Sequence, residues 1–166
     1  DTYKENDLTY DNFNKGKLES QLAYDGNYKA YFEFIADSLK RYSSQRDKQK
    51  GEAFVHGFTL AMTSQNQFYR PISELDNDGG YADIFLSPLC DIYKDMVDSY
   101  IIEQKYCKTN TADEQLQVLF KEASAQICRY ANSDIVKESV KTTKLHKLVV
   151  IYRGAEMVMC EEVTEE

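Results

Sequence analysis

One segment constrains the fold of this chain more than any other: Leu145–Tyr152, which reads LHKLVVIY. Side chains alternate between the two faces of a strand, so a run of successive apolar residues predicts a strand that is buried on both faces. Such a strand needs a packed layer on each side. We therefore expect this segment to lie inside a sheet that is covered on both faces, within an α/β layered domain.

Helical periodicity dominates the residues that precede the first predicted strand. A short helix at 15–24 ends at the Asp25–Asn27 breaker. The next helix has apolar residues at i, i+3, i+4 and i+7 spacing, which is typical of an amphipathic helix; they are Tyr28, Tyr31, Phe32, Ile35, Leu39 and Tyr42. A third helix is predicted from Gly51 to about Gln65, with Glu52 in its first turn, where the helix dipole favours a negative charge. Its predicted buried face comprises Phe54, Gly57, Phe58 and Ala61.

Extended segments follow in the middle of the chain. Residues 67–74 have the pattern of a strand, and Pro71 favours an edge position because proline cannot donate to a sheet ladder. The composition of Asp76–Gly80 predicts a turn. Two further strands are expected at Tyr81–Leu86 and at Val97–Tyr106, the second of which is rich in β-branched and aromatic residues.

The last third of the chain combines one helix with two more strands. Thr111–Glu114 has the Ser/Thr-x-x-Glu form of a capping box and would open a helix. The apolar stripe of that helix is Leu116, Leu119, Phe120, Ala123, Ile127 and Tyr130. Residues 132–143 are polar and ambiguous, whereas Arg153-Gly154 predicts a two-residue turn into a last strand, Ala155–Cys160. The order of elements indicates an α/β domain with a mixed sheet.

The length of the chain, 166 residues, fits one domain and is sufficient to bury a core without disulfides or a structural metal. We expect residues 1–13, which are polar, to be poorly ordered. Residues 14–166 are predicted to form a single domain with a helical N-terminal lead-in. The chain begins with Asp1 rather than Met, so we expect a longer protein with a partner domain upstream.

The charge balance bears on possible partners. The formal net charge is −8, whereas proteins that bind nucleic acid usually carry a basic surface. This balance counts against tight, autonomous binding of long DNA. Lysines and arginines nevertheless gather near residues 40–50 and 137–147. They are interpreted either as solvated faces or as parts of a local basic groove.

The cysteine and histidine pattern makes a zinc site unexpected. The four cysteines are Cys90, Cys107, Cys128 and Cys160. They form no CxxC pair, and the two histidines are not at ligand spacing. Scattered free cysteines indicate a reducing, cytoplasmic setting. The sequence has neither a signal peptide nor an apolar run long enough to span a bilayer, so no membrane partner is expected.

Asp83, Glu103 and Lys105 form the candidate catalytic set. Glu103 and Lys105 are two residues apart in a predicted strand and therefore point the same way. A hairpin-like arrangement would bring Asp83 beside Glu103, and two close carboxylates repel unless a cation lies between them. Mg²⁺ takes oxygen ligands and can activate water for phosphodiester cleavage, while a lysine can offset the developing charge. The alternative is a structural ion pair between Glu103 and Lys105.

Three runs of sequence resemble the PD-(D/E)XK nuclease superfamily: GGYADIFLSP, DSYIIEQKY and EASAQICRY. The helical residues before them and the closing LHKLVVIYRGAEMVMCEEV are also similar to that family, so the likeness covers nearly the whole chain. It implies a restriction-endonuclease-like mixed β-sheet core that is flanked by helices. More specifically, the chain resembles the nuclease-like domain found after an AAA-type ATPase module in bacterial, Bacteroides-like proteins, which implies such an ATPase domain upstream.

The resemblance assigns roles to individual positions. It implies that Asp83 and Glu103 are metal ligands and that Lys105 is the catalytic lysine. Glu52, in the helix that begins GEAFVHG, would complete a site for Mg²⁺, with Mn²⁺ as a second candidate. Gln126, in the AxxQI pattern, would line the site from the helix that follows the core strand.

Three functions remain open at this point. The first is metal-dependent hydrolysis of phosphodiester bonds in nucleic acid, with DNA as the expected substrate. The second is a catalytically weak or inactive nuclease-fold module that binds nucleic acid or a partner on behalf of the attached ATPase domain. The acidic balance favours this second function, as does Tyr81, which stands where related domains often have a basic residue. The third is a protein-interaction domain that does not bind nucleic acid.

Overall fold

The computed structural model of the protein describes residues 2–43, 51–75 and 81–164, with the side chains of 12–43, 51–73 and 84–164. The described helices are α1 (Thr2–Asp25), α2 (Tyr28–Tyr42), α3 (Glu52–Ser64), α4 (Asp113–Ala131) and α5 (Asp134–Ser139). The described strands are β1 (Tyr69–Leu75), β2 (Tyr81–Pro88), β3 (Asp98–Cys107), β4 (Lys144–Arg153) and β5 (Glu156–Glu162).

The described strands form one mixed sheet in the order β1-β2-β3-β4-β5. The first three strands are antiparallel neighbours. β3 and β4 run parallel, from Asp98 opposite Lys144 to Cys107 opposite Arg153, and β5 returns antiparallel to β4. Helices α4 and α5 provide the long crossover that a parallel pair requires. The predicted α/β fold, with a mixed sheet, flanking helices and a helical N-terminal lead-in, is confirmed.

β4 is enclosed on both faces, as its sequence predicted. Every residue from Leu148 to Tyr152 is buried. Leu148 and Val150 pack into the core that α1, α2 and α3 cover, whereas Val149 and Ile151 pack against α4. A continuous apolar run can therefore be buried on both sides of the sheet, because its alternate side chains pack into two different cores.

The predicted buried face of α3 is right for Phe54 and Phe58, which are half-buried and pack against the core, and wrong for Gly57 and Ala61. Gly57 and Ala61 are exposed, and the buried residues are Val55, His56, Thr59 and Thr63. The hydroxyls of Thr59 and Thr63 donate to the carbonyls of Val55 and Thr59, both at 2.9 Å. Because the helix backbone satisfies these hydroxyls, two threonines are buried where the apolar pattern predicted solvent.

The predicted capping box of α4 is also wrong. The helix begins at Asp113, the residue before it is Ala112, and no side-chain cap is made. Arg153 instead donates to the carbonyl of Thr111 at 3.2 Å and to the Asp113 carboxylate at 2.7 Å. A tertiary contact from the end of β4 thus holds the start of α4, which no local pattern could reveal.

Several other boundaries differ from the sequence predictions. The helix predicted at 15–24 belongs to the longer α1, and part of the ambiguous segment 132–143 forms α5. The last turn lies at Gly154-Ala155, because Arg153 still pairs with Glu156 in the ladder. The predicted turn at Asp76–Gly80 lies outside the described residues. The order of residues 1–13 and the single-domain boundary at residue 14 stay predictions.

Membrane insertion of a helix finds no support in the described part of the chain. Within 2–43, 51–75 and 81–164, no helix combines the length and the apolar character that crossing a bilayer requires.

Glu19 of α1 gives a pH-dependent stability prediction. Glu19 is 6% exposed. Its Oε1 has no hydrogen-bond partner in the described structure, although Lys15 Nζ lies 3.8 Å away. Burial raises the pKa of Glu19 above its usual value of 4.5, and Lys15 only partly offsets this. We expect Glu19→Gln to stabilise the protein at pH 7, because the neutral amide replaces a carboxyl group whose ionised form is disfavoured by burial.

The sign of this effect follows from linkage. A carboxyl whose pKa is raised by folding binds its proton more tightly in the folded state, so its ionisation destabilises the fold as pH rises above 4.5. Thermal unfolding from pH 4 to pH 8 should show the Tm advantage of Glu19→Gln growing with pH. The exposed Glu33→Gln is the control and should show no such trend. A constant advantage at all pH values would contradict the prediction.

Candidate active site

Glu103 and Lys105 lie near the C-terminal end of β3 and point to the face that α4 covers. Ile101, two residues earlier on the same face, packs in one cluster with Ile127 of α4. The Glu103 side chain is 5% exposed and that of Lys105 is 23% exposed. Lys105 Nζ lies 3.1 Å from Glu103 Oε1. The two charged groups therefore share one face, as strand alternation predicted.

Gln126 reaches the same point from α4. Lys105 Nζ donates to Gln126 Oε1 at 2.6 Å. The neighbouring Ile127 is fully buried and fixes the rotation of α4 over the sheet. An ammonium that contacts a carboxylate and an amide oxygen has a defined position rather than a solvated, mobile one. The structure thus brings together Glu103, Lys105 and Gln126 from the predicted set.

Asp83 lies in β2, but its side chain is outside the described residues. β2 and β3 pair antiparallel, with Ile84 opposite Ile102 and Phe85 opposite Ile101. In an antiparallel pair, one step back along the first strand matches one step forward along the second. If the pairing continues by one residue, position 83 of β2 lies opposite Glu103 of β3.

Glu52 lies at the same end of the sheet, in the first turn of α3. Gly51, at φ +69°, precedes it, and a Cβ placed at Gly51 would contact the Tyr106 ring at 3.6 Å. This close approach brings the start of α3 against the end of β3. Glu52 and Lys105 both line a narrow crevice that has almost no room for a water molecule and that Glu103 does not line. The structure thus places Glu52 near Lys105 but gives no contact between Glu52 and Glu103.

Gln104 lines this crevice from the opposite face of β3. Its Nε2 donates to Thr59 Oγ1 at 2.9 Å, and its Oε1 is buried without a hydrogen-bond partner in the described structure. Sequence reasoning missed Gln104, although an amide between Ile102 and the aromatic Tyr106 on that face signals a need for a hydrogen-bond partner. His56 also lines the crevice, and burial lowers the pKa of His56 below 6.5, which favours the neutral ring at pH 7.

The donor chemistry suits a divalent cation. Mg²⁺ and Mn²⁺ prefer oxygen ligands, and Glu103 supplies a carboxylate that is almost fully buried. Burial of a carboxylate is costly without a compensating cation. Among the described side chains, no three His, Cys, Asp or Glu lie close enough together to hold a metal ion. The type of donor therefore fits the metal, and the complete ligand set of Asp83, Glu103 and Glu52 stays a prediction.

Comparison with known families decides the membership of the chain. A family model described as the PD-(D/E)XK nuclease superfamily matches residues 50–162. The chain belongs to this superfamily. The match extends from just before α3 to the end of β5, so this PD-(D/E)XK domain includes every predicted site residue, and the superfamily resemblance seen in the sequence is confirmed. No curated protein and no solved structure matches the chain.

Proposed function

We propose that this PD-(D/E)XK domain hydrolyses phosphodiester bonds of nucleic acid, with DNA as the substrate, in a reaction that depends on Mg²⁺ or Mn²⁺. One observation carries the proposal: a buried carboxylate, a lysine and a glutamine meet at the end of β3 within the region that the family model matches. Lys105 is held 3.1 Å from Glu103 and 2.6 Å from Gln126. This arrangement gives the ammonium a fixed direction without full solvation.

Each residue of the set has a distinct role in the proposal. Asp83, Glu103 and Glu52 would hold the metal, which when bound supplies a Lewis acid for the phosphoryl oxygen and lowers the pKa of a bound water. Lys105 would orient the attacking water or stabilise the negative charge that develops on the phosphorane oxygens. Gln126 is a positioning residue, since it accepts a hydrogen bond from the Lys105 ammonium and limits the ammonium's freedom.

The pairing of β2 with β3 supports the inclusion of Asp83. Because Ile84 of β2 lies opposite Ile102 of β3, one further step of this pairing would set position 83 beside Glu103. Two carboxylates on adjacent strand positions would repel each other in a low-dielectric environment. A divalent cation relieves that repulsion, whereas Lys105 alone offers only one positive charge.

A second candidate is a catalytically weak or inactive module that serves an AAA-type ATPase domain elsewhere in the protein. The net charge of −8 favours it, because the acidic surface disfavours tight binding of long nucleic acid by the domain alone. Under this alternative the fold would bind nucleic acid or a partner without turnover. The four cysteines, which are all free, fit the proposed cytoplasmic location of either form.

Calorimetric titration of Mg²⁺ and Mn²⁺ tests the proposed metal site. We expect wild-type binding and a loss of affinity of about tenfold or more in Asp83→Asn and in Glu103→Gln, as for removal of a group that supports a metal. Glu122→Gln is the matched control, because Glu122 is exposed on α4, one turn before Gln126. Equal affinity in all four proteins would overturn the metal site, and binding without DNA cleavage would favour the inactive module.

A further inference from the structure

A second concave site lies away from the candidate active site. It is an open cavity of about 300 Å³ between β1, the β2–β3 connection and the turn after α5; its polar lining residues are Arg70, Ser87, Asp91, Ser139 and Lys141. Arg70 pairs with Ser87, and the adjacent Leu86 pairs with Tyr100 of β3. Lys105 is five residues further along β3, which is about 17 Å at the rise of a strand. The cavity therefore lies near the opposite end of β3.

The two cations of this cavity differ from those described cations of the protein that form ion pairs. Arg153 lies 2.7 Å from Asp113, and Lys40 lies 3.2 Å from Glu156. Among the side chains that the structure describes, no acid lies within ion-pairing distance of Arg70 or Lys141. On a protein with a net charge of −8, two cations and one acid, Asp91, in one concavity leave a local excess of positive charge that attracts anions.

The backbone holds Lys141 in place at the cavity wall. Its φ is +52°, a left-handed conformation that costs a residue with a Cβ roughly 1–2 kcal/mol. Thr143 N donates to the carbonyl of Val140 at 2.9 Å and closes the turn, and Thr143 Oγ1 donates to Ser99 Oγ at 2.8 Å. A turn that is tied to β3 therefore fixes the backbone at Lys141, so a ligand that binds there need not order the backbone.

We propose that this cavity binds a phosphate group, with Arg70 and Lys141 as its cationic ligands. A guanidinium donates through two parallel N–H groups and an ammonium acts as a point charge, and both suit the oxygens of a phosphate group. Asp91 lowers the net positive charge of the wall to one and weakens the attraction without abolishing it. The phosphate belongs either to a nucleic-acid backbone or to a small phosphorylated molecule. The site does not depend on the proposed hydrolysis.

The test measures phosphate binding in EDTA, so the outcome is independent of metal binding and cleavage. Inorganic phosphate is titrated into the protein by calorimetry, and a labelled short DNA duplex is titrated by fluorescence anisotropy at several salt concentrations. Arg70→Gln removes a charge and keeps a long polar side chain. Lys141→Asn removes a charge and keeps a residue that tolerates the left-handed conformation. Lys94→Gln is the matched control, since Lys94 is exposed in the same β2–β3 connection but does not line the cavity.

We expect each cavity variant to bind inorganic phosphate about tenfold more weakly, the loss for one charged hydrogen bond, and Asp91→Asn to bind it more tightly. The phosphate comes from a nucleic-acid backbone if DNA affinity also falls and if the slope of log affinity against log salt concentration decreases by about one in each variant. If DNA affinity is unchanged, the ligand is a small phosphorylated molecule. Absence of wild-type phosphate binding, or losses no larger than in Lys94→Gln, would overturn the proposal.

Discussion

Lys105→Met should lower the rate of nucleic-acid cleavage by about 10²–10³-fold, the effect of removing one electrostatic group aimed at developing charge. Methionine keeps most of the side-chain length but neither donates to Gln126 nor pairs with Glu103. If Lys105 acts on the transition state, kcat should fall while KM changes little. The measurement is single-turnover cleavage of a DNA substrate at saturating Mg²⁺, with the folded fraction checked by thermal unfolding.

Two comparisons separate this catalytic role from a structural ion pair. Lys108→Met removes a charge from an exposed position just beyond β3 and should leave the rate within about twofold, since most surface substitutions have small effects. Gln126→Leu should reduce the rate by less than Lys105→Met, because Gln126 only positions the ammonium. If Lys105→Met lowers Tm but leaves the cleavage rate of the folded protein unchanged, the pair with Glu103 is structural.

His146→Ala should destabilise the protein by about 3–5 kcal/mol, the cost of removing one partner from a buried ionic group. His146 of β4 lies between two acids: Nε2 is 2.7 Å from Asp98 Oδ1, and Nδ1 is 2.7 Å from Glu162 Oε1. Both ring nitrogens of His146 therefore have a carboxylate oxygen at hydrogen-bonding distance. The ring also stacks on Tyr100, with centroids 4.9 Å apart. Removal of His146 would leave the Asp98 carboxylate, which is 7% exposed, without this partner.

Volume-conserving variants distinguish charge from packing at this position. His146→Phe keeps a ring that can stack on Tyr100, so a packing role predicts little change and an ionic role predicts a loss close to that of His146→Ala. Addition of Asp98→Asn to His146→Phe should recover part of that stability, because it removes the stranded charge. The comparison is made by chemical denaturation of the wild type, His146→Ala, His146→Phe and the double variant. A stable His146→Phe single variant would contradict the ionic role.

The candidate site shows how far local rules extend. Alternation along one strand placed Glu103 and Lys105 on the same face, since that relation depends only on the pleat. The family resemblance implied only that Gln126 lines the site, and its 2.6 Å contact with Lys105 depends on how α4 packs over β3. The position of Glu52 depends similarly on the approach of Gly51 to Tyr106.

Errors in the predicted helices have the same origin. The apolar pattern of α3 suggested a face that included Gly57 and Ala61, yet the sheet covers Thr59, which accepts a hydrogen bond from Gln104. The apparent capping box at Thr111–Glu114 is replaced by contacts from Arg153. In both places a partner distant in sequence outweighed a local preference, because such preferences are worth about 1 kcal/mol or less per residue.

The sequence by itself determined the α/β class, the doubly buried β4, the amphipathic α2 and the placement of Glu103 and Lys105 on one face of β3. These features depend on side-chain periodicity and composition, which are local and repeat over many residues. The tertiary structure alone decided the rotation of α3, the contact between Lys105 and Gln126, the His146 cluster and the cation-lined cavity at Arg70 and Lys141. Each of these joins strands or helices that are far apart in the chain, and sheet register and helix packing bring them together.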